Sequence, residues 1–399
     1  MKPFRLALAL VVFVSASAIA APTGFDAARL KEVSKRMQAF VDDGTLSGAV
    51  TLVARHGKVA SLDAVGLADI AGKRAMRTDD LFWIASMTKP VTGLAVMMLQ
   101  DEGKLSVEDP VEKYLPEFKG QWLVKEKSAT ALALVRPERP ITIRDLLTHT
   151  SGMGDVATPR VDCSLAELVM AYSQAPLQFP PGSKWSYSNP GINTLGRIVE
   201  VVSGQGFAEF LQQRIFTPLA MKDTTFWPTE EQAKRVAKSY KQAAGGKALE
   251  EIEVFFTKGG LTNRKRTAFP AGGLYSTAAD MGRFYLMTLN GGSLDGKKIV
   301  SKETLALATS TQTGDIKTGF VDGMSWGFGF QVVKESLGVT AMLSPGTYGH
   351  GGAYATQSWA DPKKDLVLVL MIQRSGFQNG DGSPVRKAFQ EAAVAAIKD

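Results

Sequence analysis

Residues 81–93 read "LFWIASMTKPVTG". An apolar approach ends at Ser86, and Lys89 follows three residues later. Helical spacing then takes over, with Val91, Leu94, Ala95 and Met98 on one face and Gly103 ending the run. Residues i and i+3 share a helix face, so the amine of Lys89 can reach the Ser86 hydroxyl. Pro90 is tolerable there, because the backbone donors of a first helical turn lack intrahelical partners. Those same donors favour a developing negative charge. A lysine of ordinary pKa, about 10.4, is protonated at neutral pH, so burial or a neighbour must tune it before it acts as a base.

A second serine competes. Residues 322–329, "DGMSWGFG", place Ser325 within the pattern G-x-S-x-G. A nucleophile elbow needs a strand, a tight turn and then a helix. Ser325 instead leads into "WGFGFQVV", which alternates like a strand, and the only acid between Ser325 and His350 is Glu335. The pattern is also weak in a chain with 39 glycines. Ser86 has a better context for a nucleophile than Ser325, although on its own the spacing equally describes a helix cap followed by a surface lysine.

Composition narrows the function classes. Of 399 residues 45% are apolar and 21% charged, enough for a large core that needs no metal or disulfide staple. Lys2 and Arg5 precede the apolar run "LALALVVFV" at 6–14, and Ala18-Ile19-Ala20 offers a cleavage site. Residues 1–20 read as a signal peptide cleaved after Ala20. The mature protein is expected to be periplasmic or secreted, with no stable membrane insertion. The formal charge of +7 becomes +5 without Lys2 and Arg5 (7 − 2). Basic residues are dispersed, and the densest run, Arg264-Lys265-Arg266, lacks interleaved aromatics, so no nucleic-acid partner is expected. Cys163 is the only cysteine, which excludes an intrachain disulfide. His56, His149 and His350 lie far apart and make no ligand pattern, so no metal or other cofactor is expected.

Working outward from Ser86, residues 27–42 read as an amphipathic helix through Leu30, Val33, Met37, Phe40 and Val41. Residues 48–66 read as a hairpin turning at Arg55-His56-Gly57. The middle of the chain reads as helix and loop: "TIRDLLTHTSG" is helical up to Gly152, and Ile192, Leu195, Val199 and Val202 form a face ended by Gly204. Phe207, Phe210, Leu211 and Ile215 form another face, and "STAADMGRFYLMTLNGG" is a capped helix. Strand character returns at "SWGFGFQVV", "TYGHGGAYATQSWAD" and "DLVLVLMIQ", the last two joined by a turn at Asp361-Pro362-Lys363-Lys364. A helix through Val385, Phe389, Ala392, Ala393 and Ala396 closes the chain. The expected fold class is α+β: an α/β sandwich with a mainly antiparallel sheet, flanked by N- and C-terminal helices and built from residues 25–85 and 265–399. A mostly helical domain, residues 86–264, is inserted.

Two more motifs complete the constellation. "KWSYSNPG" holds Tyr187-Ser188-Asn189 in a loop rich in turn residues. "GHGGAYA" holds His350-Gly351-Gly352 on an expected strand, where glycine marks a bulge or a close approach by a ligand or another backbone. In this order the three elements resemble the serine β-lactamase and penicillin-binding-protein superfamily, with its Ser-x-x-Lys, Tyr-x-Asn and Lys/His-x-Gly motifs. "SMTKP", "LLTHTSGM", "YSNPGINTLGRIVE" and "AGGLYSTAADMGRF" are similar to its class C β-lactamase, D-alanyl carboxypeptidase and family VIII carboxylesterase branch. The resemblance runs from about residue 27 to the end, and it implies the same two-part, β-lactamase/transpeptidase-like architecture, with the active site in the cleft between the two parts.

The resemblance also implies roles. Ser86 would form an acyl-enzyme, with Lys89 and Tyr187 sharing the base work in either order. Asn189 would hydrogen-bond Lys89 or the substrate, and the backbone N–H groups of Ser86 and Ala353 would form the oxyanion hole. His350, Gly351 and Gly352 would line the substrate strand. The departure lies here: class C β-lactamases carry Lys-Thr-Gly, where this chain has a titratable imidazole at His350 and no side chain at Gly351. A cation and a hydroxyl suited to a substrate carboxylate are missing. That favours a carboxylesterase acting on small acyl esters over a β-lactamase or D-Ala-type carboxypeptidase or aminopeptidase acting on amides, while the intact Ser86, Lys89 and Tyr187 weigh against a non-turning-over penicillin-binding or sensor module. The expected partner is a small-molecule ester or β-lactam-like substrate.

Overall fold

The two ends of the chain build one sheet. The computed structural model describes residues 24–156, 160–246 and 248–398; the export signal expected over residues 1–20 lies outside them. The strands of this sheet are β1 (Gly48–Arg55), β2 (Lys58–Asp69), β3 (Arg74–Ala75), β4 (Met324–Trp326), β5 (Gln331–Val333), β6 (Tyr348–Gly351), β7 (Gln357–Asp361) and β8 (Leu366–Met371). They run in the order β4-β5-β6-β7-β8-β1-β2-β3, antiparallel throughout. The seam between chain ends is β1 against β8, with Leu52 opposite Val369.

Both faces of that seam are covered. Among the described residues, five helices have twelve or more residues: α1 (Ala27–Asp42), α2 (Thr88–Asp101), α3 (Asn189–Ser203), α4 (Ala278–Leu289) and α5 (Pro384–Ala395). Leu366, Leu368 and Leu370 share one apolar cluster with Leu30, Val33 and Met37 of α1 and Phe389 of α5. Val367, Val369 and Met371 share the other with Met281 and Phe284 of α4. Alternation along β8 therefore feeds two cores, which explains a run with no polar residue. Each fully buried side chain of this kind stabilises the fold by about 1.5–3 kcal/mol.

Helix α2 is buried from Thr88 to Leu99, so the apolar face expected from its spacing extends all the way round. It packs on α3, on the helix Lys302–Thr309 and on β6, which makes it the internal post of the molecule.

Three local expectations fail. The segment "TIRDLLTHTSG" is helical only over Ile143–Leu147, because His149 takes the left-handed conformation (φ 60°), which ends a helix. "SWGFGFQVV" is a hairpin: Gly327 N–H donates to Phe330 O and splits it into β4 and β5. The middle of the chain also holds two small hairpins, Leu123–Lys127 with Leu132–Val135 and Ser239–Gln242 with Leu249–Ile252.

Candidate active site

Ser86 lies two residues ahead of the start of α2, in a tight 3-10 turn over Ala85–Met87. Ala85 is held at φ 46°, a left-handed geometry that costs a residue with a Cβ about 1–2 kcal/mol. The turn is fixed from within: the Thr88 hydroxyl donates to Ala85 O at 2.7 Å and accepts from Leu274 N–H at 3.3 Å. This strain lifts the serine hydroxyl out of the helix ladder and into the cleft.

Lys89 is fully buried beneath it. Its amine lies 3.0 Å from Ser86 Oγ and donates to Asn189 Oδ1 at 2.8 Å and Ala271 O at 2.7 Å. Three partners fix the amine in place, while burial pushes its pKa well below the ordinary lysine range. Ala271 is itself positioned by Asn193 on α3, whose Oδ1 accepts the Ala271 N–H at 2.9 Å. Asn189 is the first residue of α3 and Ser188 is its cap, accepting from Gly191 N–H. Tyr187 precedes that cap, and its phenol hydrogen-bonds with Ser86. Lys89 Nζ sits 4.6 Å from the Tyr187 ring centroid. Burial raises the phenol above its ordinary pKa, against the Ser86 hydrogen bond, and the Asp381 carboxylate adds to the rise.

His149 stacks on Tyr187 with ring centroids 4.5 Å apart. Its Nδ1 accepts the Ser188 N–H at 3.1 Å, so the loop carrying Tyr187 hangs on this ring. Burial, with Lys89 and His350 nearby, holds the imidazole neutral. The histidine came from "LLTHTSGM", to which sequence reasoning gave no role beyond resemblance.

Strand β6 closes the cleft opposite. His350 is buried, its Nδ1 lies 2.6 Å from Gly351 O, and burial, reinforced by Lys89, lowers its pKa to about 3. The expected titratable imidazole is therefore neutral across the physiological range. Gly352 allows the strand to approach the nucleophile turn: a Cβ there would lie 2.6 Å from Ile84 O and collide with Thr356 Oγ1. The approach brings Ala353 beside Ser86. Among the described residues neither the Ser86 nor the Ala353 N–H has a backbone acceptor.

Ser86 and Ala353 divide the cleft into two compartments. One, of about 350 Å³, is walled by Trp83, Tyr172, Phe255, Phe256 and Phe269. The other, of about 440 Å³, is the polar compartment in the sense that it carries the cleft's Asp381–Arg386 ion pair, with Tyr187, His350, Gly351 and Asn379 also lining it. Every residue expected at the site, Ser86, Lys89, Tyr187, Asn189, His350, Gly351, Gly352 and Ala353, is brought together here. Ser325 is not: it is buried in β4, with its hydroxyl 3.1 Å from Thr313 Oγ1.

Comparison with known proteins gives the family. Residues 33–391 match the model of the Beta-lactamase family. Esterase EstB of Burkholderia gladioli is 32% identical, over 94% of this chain and 98% of its own length. Penicillin-binding protein 4 of Amycolatopsis lactamdurans is 33% identical, over 84% of this chain and 81% of its own. Among solved structures, EstCE1, "a hydrolase with promiscuous acyltransferase activity", superposes with a TM-score of 0.75 at 25% identity, over 92% of this chain and 99% of that one. The chain belongs to the Beta-lactamase family of serine hydrolases.

Proposed function

We propose that the protein is an exported carboxylesterase that hydrolyses small acyl esters through an acyl-enzyme at Ser86. The observation that carries this reading is the contrast between an assembled Ser86–Lys89–Tyr187 cluster and a strand β6 whose histidine is neutral and buried. β-Lactams and peptidoglycan stems carry a carboxylate beside the scissile bond, and a neutral ester does not. The resemblance to Esterase EstB over nearly the whole chain supports the same choice.

The steps follow from the geometry. Lys89, 3.0 Å from Ser86 Oγ and depressed by burial, takes the serine proton as Oγ attacks the ester carbonyl. The oxyanion that forms is held by the Ser86 and Ala353 N–H groups, each worth about 3 kcal/mol of transition-state stabilisation. Tyr187, kept neutral by burial, passes its proton to the departing alkoxide and takes back the proton held by Lys89, whose Nζ lies 4.6 Å from its ring centroid. Water then enters, Lys89 takes its proton as the oxygen attacks the acyl carbonyl, and that proton returns to Ser86 Oγ as the acid leaves.

Tyr187 also orients the substrate. A proton donor must stand at the leaving group, and Tyr187 lines only the polar compartment. The alcohol therefore leaves through the polar compartment and the acyl chain occupies the aromatic one. Export is the remaining part of the proposal, and N-terminal sequencing of secreted protein should begin at Ala21. The functional test compares p-nitrophenyl butyrate with benzylpenicillin. Ester turnover well above penicillin turnover, and lost in S86A, supports the proposal; the reverse order makes the protein a β-lactamase.

A further inference from the structure

The polar compartment contains an ion pair whose two members face different ways. Arg386 of α5 is 1% exposed and Asp381, in the loop before α5, is 18% exposed. The guanidinium is consumed internally. Its Nη2 donates to Thr356 O at 2.8 Å and Gly352 O at 3.2 Å, its Nε to Ala355 O at 3.4 Å, and its Nη1 to Asp381. Four of its five N–H donors and its charge are already satisfied, so it cannot receive a substrate carboxylate. Asp381 is the charge that the compartment shows to solvent.

The pair also accounts for Gly351. A Cβ at that position would lie 2.5 Å from Asp381 Oδ1 and 2.6 Å from Arg386 Nη2. The room left by the missing side chain is filled by the pair itself. The loop holding Asp381 is tied down as well: Asn379 Oδ1 accepts the Asp381 N–H at 3.0 Å, and Asn379 Nδ2 donates to Phe320 O at 3.0 Å. Among the described residues, Asp381 and Arg386 are the only charged ones lining this compartment.

We propose that Asp381, pinned over Gly351 by Arg386, is a specificity-determining residue that excludes leaving groups bearing a carboxylate and admits neutral or cationic ones. The inference rests on the esterase reading, in particular on the alcohol occupying the compartment of Tyr187. It reaches beyond the absence of a lysine on β6, because it assigns active repulsion to a named side chain.

The test uses three butyrate esters of meta-substituted phenols: the carboxylate, its methyl ester and the trimethylammonium. Each kcat/KM, which reports the steps through acylation, is divided by the ester's rate of hydroxide hydrolysis to remove intrinsic reactivity. The wild-type protein should hydrolyse the carboxylate about tenfold less efficiently than the methyl ester, and the trimethylammonium at least as well as it. D381N should raise the carboxylate-to-methyl-ester ratio at least about fivefold. If D381N does not fold, the wild-type series alone decides. A wild-type carboxylate rate within about twofold of the methyl ester, or an unchanged ratio in folded D381N, overturns the inference while leaving the esterase reading intact. Failure of all three esters, with S86A no different from wild type, would instead remove the esterase reading and the inference with it.

Discussion

The substitution G352A moves the oxyanion donor without touching any functional side chain. Gly352 needs no left-handed backbone, so alanine can adopt its conformation; what it lacks is space. Its Cβ would lie 2.6 Å from Ile84 O, where ordinary contact begins at 3.4 Å, so β6 must retreat by about 0.8 Å (3.4 less 2.6). That retreat draws the Ala353 N–H away from an oxyanion on Ser86. Loss of one such donor costs about 100-fold in kcat, or about 2.7 kcal/mol. The assay is p-nitrophenyl butyrate turnover, with far-UV circular dichroism to confirm the fold. Because Thr356 Oγ1 also obstructs the Cβ, the double variant G352A/T356A distinguishes the two obstacles: it should stay slow, since Ile84 O remains. Activity of folded G352A within about threefold of wild type would refute the placement of the oxyanion hole.

Other outcomes rest on the same geometry. S86A should abolish hydrolysis, while S325A should keep activity within a few-fold and lose about 1 kcal/mol of stability for the broken Thr313 contact, read by urea denaturation. Y187F, which keeps the ring on His149 but removes the proton donor, should lower kcat by about 10²–10⁴ without lowering the melting temperature. His350 has a folded pKa of about 3, below its unfolded value, so the unfolded chain binds the extra proton and stability is lost as pH falls through the interval between them. Between pH 7 and pH 4, H350Q should therefore lose about 3 kcal/mol less stability than wild type in urea titrations at the two pH values; equal losses would contradict a buried neutral imidazole.

The motifs at 86–89, 187–189 and 350–353 were legible because each is local: a helix start, a turn and a glycine-rich strand. The strands of β1, β2, β7 and β8 were legible for the same reason, since alternation and turn residues mark them along the chain. What escaped depends on folding. His149 looked like part of a helix; only the left-handed kink turns it beneath Tyr187. Ala271 contributes a carbonyl, which no side-chain pattern can announce, and it reaches Lys89 across 182 residues of sequence. Asp381 and Arg386 lie five apart near the last helix and gain meaning only where they cover Gly351. The neutrality of His350 is likewise a property of burial, not of composition.

The most direct measurement mixes the purified protein with p-nitrophenyl butyrate, quenches in acid during turnover and maps any adduct by peptide mass spectrometry. The account predicts a transient butyryl group on Ser86, present in Y187F and absent in S86A. Turnover in S86A equal to that of wild type, or a butyryl group on Ser325 or any other residue, would contradict it.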